Sequence, residues 1–301
     1  LTTLNTVPAY VAADLPAVNV GEVENKGYEA EVKWRQQVGS DFFYYINANV
    51  SFARNKILYM DEVPRNEPYL RRTGHPVGQI FGYVFDSFFT EEDLEPDSGV
   101  PEHPYQAKPG DLQFKDLNGD GVINEDDQQP VGYPEYPEYS FGANIGFNYK
   151  NFDFTMVWAG AAHVSRLLEY EPYRHEFGGD GAWSLMKWHA EGRWTPEKGE
   201  DATFPRLSTT VGQRYNNMDS DFWMRDASYI RLKNAEIGYN LSPEFLQKVG
   251  LKNVRVYMNG YNLLTFSKLN SINLDPEENT NAYNAAYPVV KVYNFGINVD
   301  F

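Results

Sequence analysis

Strict two-residue alternation over seven separate segments limits what this chain can fold into, because a period of two puts each kind of residue on one face of a strand. In GYEAEVKWR, Tyr28, Ala30, Val32 and Trp34 share one face, and Glu29, Glu31, Lys33 and Arg35 share the other. After the turn QQVGSD, the segment FFYYINANVSF sets Phe42, Tyr44, Ile46, Ala48, Val50 and Phe52 against Asn47, Asn49 and Ser51. A second pair, FGANIGFNYK and FDFTMVW, is joined by little more than Lys150 and Asn151, so both pairs read as hairpins. In YIRLKNAEIGYNL the apolar parity switches between Leu232 and Ala235, which predicts a β-bulge near Lys233 and Asn234. The connector SPEFLQKVGLKN predicts a short helix after its Ser-Pro start. VRVYMNGYNLL and the terminal YNFGINVDF complete the set.

The connections between these segments are unequal. Those after residues 35, 149 and 241 are short, whereas 57–140, 161–228 and 267–288 are long, and counting strands puts every long one at the same end of the sheet. Two architectures fit alternation. One is a soluble β-sandwich, here a calcium-stabilised glycan-binding module. The other is a transmembrane β-barrel, with short turns on one side and long loops on the other. Three features favour the barrel. Most segments run roughly 9 to 13 residues, enough to cross a bilayer at a tilt. Aromatics gather at segment ends, as at Phe42 and Tyr44 or Tyr149 and Phe152, where an interfacial girdle lies. The opposing faces are rich in Asn, Gly, Ser and Asp, which suits a hydrated lumen.

Composition narrows the function. A formal net charge of −16 leaves no basic stripe for nucleic acid. The absence of cysteine removes disulfide and thiolate chemistry. The chain opens LTTLNTVPAY without a signal peptide, and no run of about eighteen apolar residues suggests a membrane helix. His75, His103, His163, His175 and His189 form no HExxH pattern, and there is no G-x-S-x-G or P-loop, so no catalytic residue is expected. The carboxylate pairs Glu125 with Asp126 and Glu277 with Glu278 read as solvated loop charges.

The ordered blocks NVGEVENKGYEAEVKW, GDLQFKDLNGDGVINEDD, RWTPE, YIRLKNAEIGYNL, VYMNGYNLLTFSK and YNFGINVDF resemble the C-terminal part of a SusC/RagA-type TonB-dependent outer-membrane transporter, from Asn19 to Phe301. The resemblance implies a barrel of 22 antiparallel strands around an N-terminal plug, capped by a SusD-like lipoprotein. It also implies TonB coupling and uptake of a bulky nutrient, an oligosaccharide or otherwise a peptide. The expected fold is therefore an all-β partial barrel in the outer membrane, in contact with lipid. Its three long connections are expected to be extracellular, with plug and TonB box absent from this stretch and residue 1 pairing with a preceding part. The resemblance further suggests that Phe301 is the terminal aromatic read by the barrel-assembly machinery.

Within the first long connection, D-x-N-x-D-G-x-I-x-x-x-D spans residues 116 to 127. Oxygens of Asp116, Asn118 and Asp120, the carbonyl of Val122 and the carboxylate of Asp127 are spaced to surround a hard cation. Asp127 replaces the longer Glu of an EF-hand, so magnesium is considered beside calcium. In the second long connection, Tyr170, Trp183, Trp188 and Trp194 either stack on substrate rings or pack the loop. Arg231, Lys233, Arg255 and Tyr257 are expected to face the lumen, where they contact plug or cargo.

Overall fold

A computed structural model describes residues 19–168, 174, 186–208, 215–278 and 289–301. All seven expected strands are present and lie side by side in chain order: β1 (Glu22–Val38), β2 (Phe42–Tyr59), β3 (Tyr139–Tyr149), β4 (Phe152–Ala162), β5 (Tyr229–Asn240), β6 (Asn253–Ser267) and β7 (Val292–Asp300). Each neighbouring pair is antiparallel. The expected helix forms over Pro243–Val249 and stops at Gly250, whose φ of +74° costs a residue without Cβ little.

The registers align the apolar positions into rows that cross the whole sheet. One row runs through Trp34, Ile46, Ile145, Met156, Ala235, Gly260 and Tyr293. Another runs through Phe147, Phe154, Ile237, Met258 and Phe295. A bulge between Leu232 and Asn234 against both β4 and β6 explains the parity switch. It returns Ile230 and Leu232 to the apolar face, opposite Gly160 and Trp158.

No second sheet covers this face among the described residues. Phe295 remains 78% exposed, Ile297 65% and Val32 63%. A sandwich buries such residues between two sheets, so the sandwich alternative fails. Apolar surface of this extent is stable only against hydrocarbon or a partner. No described helix is long and apolar enough to cross a membrane, a result that leaves strand crossing untouched.

All three long connections leave the same end of the sheet, as β2 to β3, β4 to β5 and β6 to β7. Sequence reading treats them as loops; the structure folds their described parts into a unit with its own core. Short strand pairs join Ile80–Tyr83 with Gln128–Val131, Phe85–Phe88 with Leu112–Phe114, and Ser165–Leu167 with Met224–Asp226. Leu112, Phe114, Ile123, Leu167, Leu168, Trp223, Ala227 and Leu269 are almost completely buried there. Strands of three or four residues are too short to show a period, which hid the unit from the sequence.

Candidate functional site

The face opposite the apolar rows carries Tyr45, Asn144, Thr155, Glu236, Asn259 and Asn294 in adjacent registers, so it forms a polar inner wall. Glycines let large side chains lie flat on this wall. A Cβ on Gly296 would meet the Tyr257 ring at 2.3 Å, and one on Gly238 would meet the Arg255 guanidinium at 2.4 Å. Arg255 and Tyr257 thus occupy the inner face, with the guanidinium 5.1 Å from the Tyr257 ring centroid. Arg255 also donates to Asp153 and Glu236, and Asn259 donates to Glu236 at 3.0 Å, which ties β4, β5 and β6 together.

Arg231 sits on the same face nearer the long-connection end and is 1% exposed. Its guanidinium donates to Asp275 at 2.5 Å, Glu277 at 2.6 Å and Thr265 at 2.9 Å. Lys233, displaced by the bulge, reaches Glu277 at 2.6 Å, and the Tyr229 hydroxyl donates to the same carboxylate at 2.8 Å. Glu277 is therefore no solvated loop charge, contrary to the sequence reading. It anchors the root of the third long connection to the wall. Sequence reasoning missed this because the partners lie more than forty residues apart.

Two further carboxylates, neither singled out by any motif, join the outer unit. Asp111, 2% exposed, pairs with Arg206 at 2.7 Å and accepts from Asn216 at 2.8 Å, linking the first and second long connections. Glu138, 6% exposed, accepts from Arg54 Nη2 at 2.6 Å and contacts His163 Nδ1 at 3.0 Å. The Arg54 hydrogen bond, with help from His163, holds the Glu138 carboxyl below the usual range. Trp188 and Trp194 are half-buried against the outer core, Trp188 lying 5.1 Å from the Phe204 ring. Tyr170 and Trp183 lie outside the described residues.

The segment from Asp116 to Asp127 is a tight loop docked on that core by Ile123. Asp116 accepts from Gly119 N at 2.6 Å and Gly121 N at 2.8 Å. Both glycines have positive φ, +76° and +85°, which the turn requires. Asp120 accepts from Val122 N, and Asn118 from Asp120 N. Asp127 accepts from Leu117 N and Asn124 N, so it closes a capping box. The Gly121 amide, ahead of the other contacts, keeps the Asp116 carboxyl below its usual range. Each carboxylate oxygen that accepts one of these bonds retains a further lone pair. Among the described residues, however, no three acidic or histidine side chains are gathered closely enough to hold a metal.

His103 lies beside this loop with Nδ1 at 2.8 Å from the Pro101 carbonyl, while Nε2 accepts from Phe114 N. Burial pushes its pKa below 6.5. Depressed pKa values for His103 and Glu138 mean that their stabilisation is complete above about 6.5 and 4.5 and fades as pH falls through the folded values. Hydrogen exchange on acidification should therefore show the Phe114 amide losing protection before the strands of the large sheet do. Equal protection of that amide at neutral pH and near pH 5 would refute this assignment.

An open antiparallel sheet with a lipid-type outer face, a polar inner face and packed connections at one end is a wall of a transmembrane β-barrel. Known proteins give that class a family. No protein-family model matches the chain. It is 30% identical over 319 residues to TonB-dependent receptor P3 of Formosa agariphila, an alignment covering 98% of this chain and 30% of the receptor. It is 23% identical to the TonB-dependent receptor SusC of Bacteroides thetaiotaomicron, over 99% of this chain and 29% of SusC. The solved RagAB peptide transporter shares the fold, with a TM-score of 0.72 at 20% identity over 98% of this chain and 31% of that one. The chain is homologous to the SusC/RagA-type TonB-dependent transporters and aligns with one stretch of their outer-membrane barrel. It spans about three tenths of the length of these relatives, which are receptors and transporters rather than enzymes.

Proposed function

We propose that this chain supplies part of the barrel wall and the outer loops of a TonB-dependent importer that takes up a bulky nutrient, an oligosaccharide or otherwise a peptide. The observation that carries the reading is the exposed apolar face, continuous in register over seven strands, in a chain similar to TonB-dependent receptors. The packed unit at the long-connection end is the extracellular side and the docking surface for a SusD-like lipoprotein. Energy reaches the site through a plug and TonB, supplied by parts of the receptor outside this stretch. On the inner wall, Arg231, Lys233, Arg255 and Tyr257 support plug or cargo. Trp188 and Trp194 shape the outer unit beneath the substrate, and Tyr170 and Trp183 belong to the same aromatic-rich connection. Mass spectrometry of ligand copurified with the intact receptor tests the substrate class. Oligosaccharide is the expected finding, peptide would replace it, and lipid alone would defeat the nutrient-importer reading.

A cation, calcium or magnesium, is proposed to draw Asp116, Asn118, Asp120, the Val122 carbonyl and Asp127 together and to stiffen the outer unit. Its role is structural. Calorimetry on the intact receptor should show cation binding that Asp120→Ala weakens at least tenfold. Identical titrations of the two proteins would remove the site.

Phe301 lies on the outward parity of β7, after Tyr293, Phe295, Ile297 and Val299, and is 82% exposed. We propose that this outward aromatic serves in barrel assembly. Deleting it should lower the amount of folded receptor in the outer membrane without lowering synthesis; unchanged amounts would count against the role.

A further inference from the structure

The outward face of β1 and β2 changes character at its long-connection end. Tyr28, Phe52 and Tyr139 form an aromatic ladder across β1, β2 and β3, with ring centroids 5.2 and 4.7 Å apart. Such ladders lie at the level where hydrocarbon gives way to headgroups. One rung further out, the register sets Lys26 directly opposite Arg54, and Lys56 follows on the same face. Like charges directly opposite on adjacent strands destabilise a sheet unless an anion lies between them.

Local carboxylates serve these cations only in part. Glu24 pairs with Lys26 at 2.7 Å, yet Lys26 stays 78% exposed. Glu138 takes Nε and Nη2 of Arg54, which fixes the guanidinium 5.6 Å from the Phe52 ring centroid and leaves Nη1 without a contact to that carboxylate. Lys56 is exposed, and its cross-strand neighbour Glu24 is the residue already paired with Lys26. Beside Arg54 opens a cavity of about 280 Å³ lined by Tyr136, Glu138 and Pro76 and, from the opposite parity of β1 and β2, by Asn25 and Asn55. Tyr136 is 78% exposed there, and an exposed tyrosine ring is a surface on which a sugar ring stacks.

We propose that this rim binds the headgroup of a phosphorylated glycolipid of the outer leaflet, with phosphate at Lys26, Arg54 and Lys56 and a sugar ring against Tyr136. The proposal rests on the membrane reading above, which places the aromatic ladder at the outer interface. The site anchors the barrel at a fixed depth. The three cations lie on the outward parity of β1 and β2, which separates them from any cargo site on the inner wall.

The test uses the intact receptor in phosphatidylcholine nanodiscs doped with a diphosphorylated disaccharide lipid or with the same lipid after phosphatase treatment. Native mass spectrometry counts the doped lipids retained. The phosphorylated lipid should be retained preferentially, and Lys26→Gln and Lys56→Gln, which spare the Arg54 clamp, should each lower retention about fivefold. Excess inorganic phosphate should not displace the lipid. Equal retention of the two lipids, no loss in the double variant, or displacement by inorganic phosphate would each overturn the proposal. Failure of the membrane reading has a different signature, since the receptor then never enters the nanodisc fraction.

Discussion

Ile237→Lys should cost about 2 to 4 kcal/mol of folding free energy in a bilayer if the side chain lies near the midplane, and less towards either interface. Ile237 is 49% exposed, and its register neighbours are Phe154 on β4 and Met258 on β6. In water, a half-exposed isoleucine replaced by lysine is a mild change, within about 0.5 kcal/mol. In hydrocarbon the ammonium has no partner and must snorkel or drag water to itself. The contrast with the opposite face makes the prediction specific. Asn49→Lys, placed opposite Glu31 on the inner wall, should be close to neutral. Urea titration of the receptor refolded into vesicles separates the outcomes, because a soluble sheet predicts small and similar effects for both variants.

Arg231→Ala is the other change with a large expected effect. The guanidinium is nearly inaccessible and serves Asp275, Glu277 and Thr265 at once. Removing it leaves Asp275 and Glu277 facing each other, with Lys233 and the Tyr229 hydroxyl supporting Glu277 alone. Loss of one partner from a buried pair costs about 3 to 5 kcal/mol, more than the pair contributes over an apolar substitute. The third long connection should detach at its root, and protease should cut near residues 275–278 in the variant but not in the parent. Adding Asp275→Asn and Glu277→Gln removes the uncompensated charge and should recover more than half of the loss. A single substitution without effect on proteolysis or stability would show that the connection is held by its apolar contacts, chiefly Leu269, Ile272 and Leu274.

The strands were legible in the sequence because each is long and one-sided. Tyr28 to Trp34 alternates without interruption, and even the bulge near Lys233 left a readable mark as a change of parity. The outer unit was not legible. Its strands run three or four residues, and its core residues, such as Phe89, Leu112 and Trp223, come from distant connections with no shared period. The Asp116–Asp127 motif could be found because its residues are local; Asp111 and Glu138 could not, because each acquires meaning from partners far along the chain. Arg231 and Arg255 were placed on the inner face by parity alone, but which carboxylates they meet depended on register.

The two-faced wall can be tested directly on β7, and the chain brings no cysteine of its own to complicate labelling. Single cysteines at Tyr293, Asn294, Phe295, Ile297, Asn298 and Val299 in the intact receptor can be spin-labelled and probed in vesicles with oxygen, which concentrates in lipid, and with a water-soluble nickel complex. The account predicts alternation, with oxygen contact dominant at Tyr293, Phe295, Ile297 and Val299 and reduced at Asn294 and Asn298. Nickel contact at every position, or no two-residue period, would contradict it.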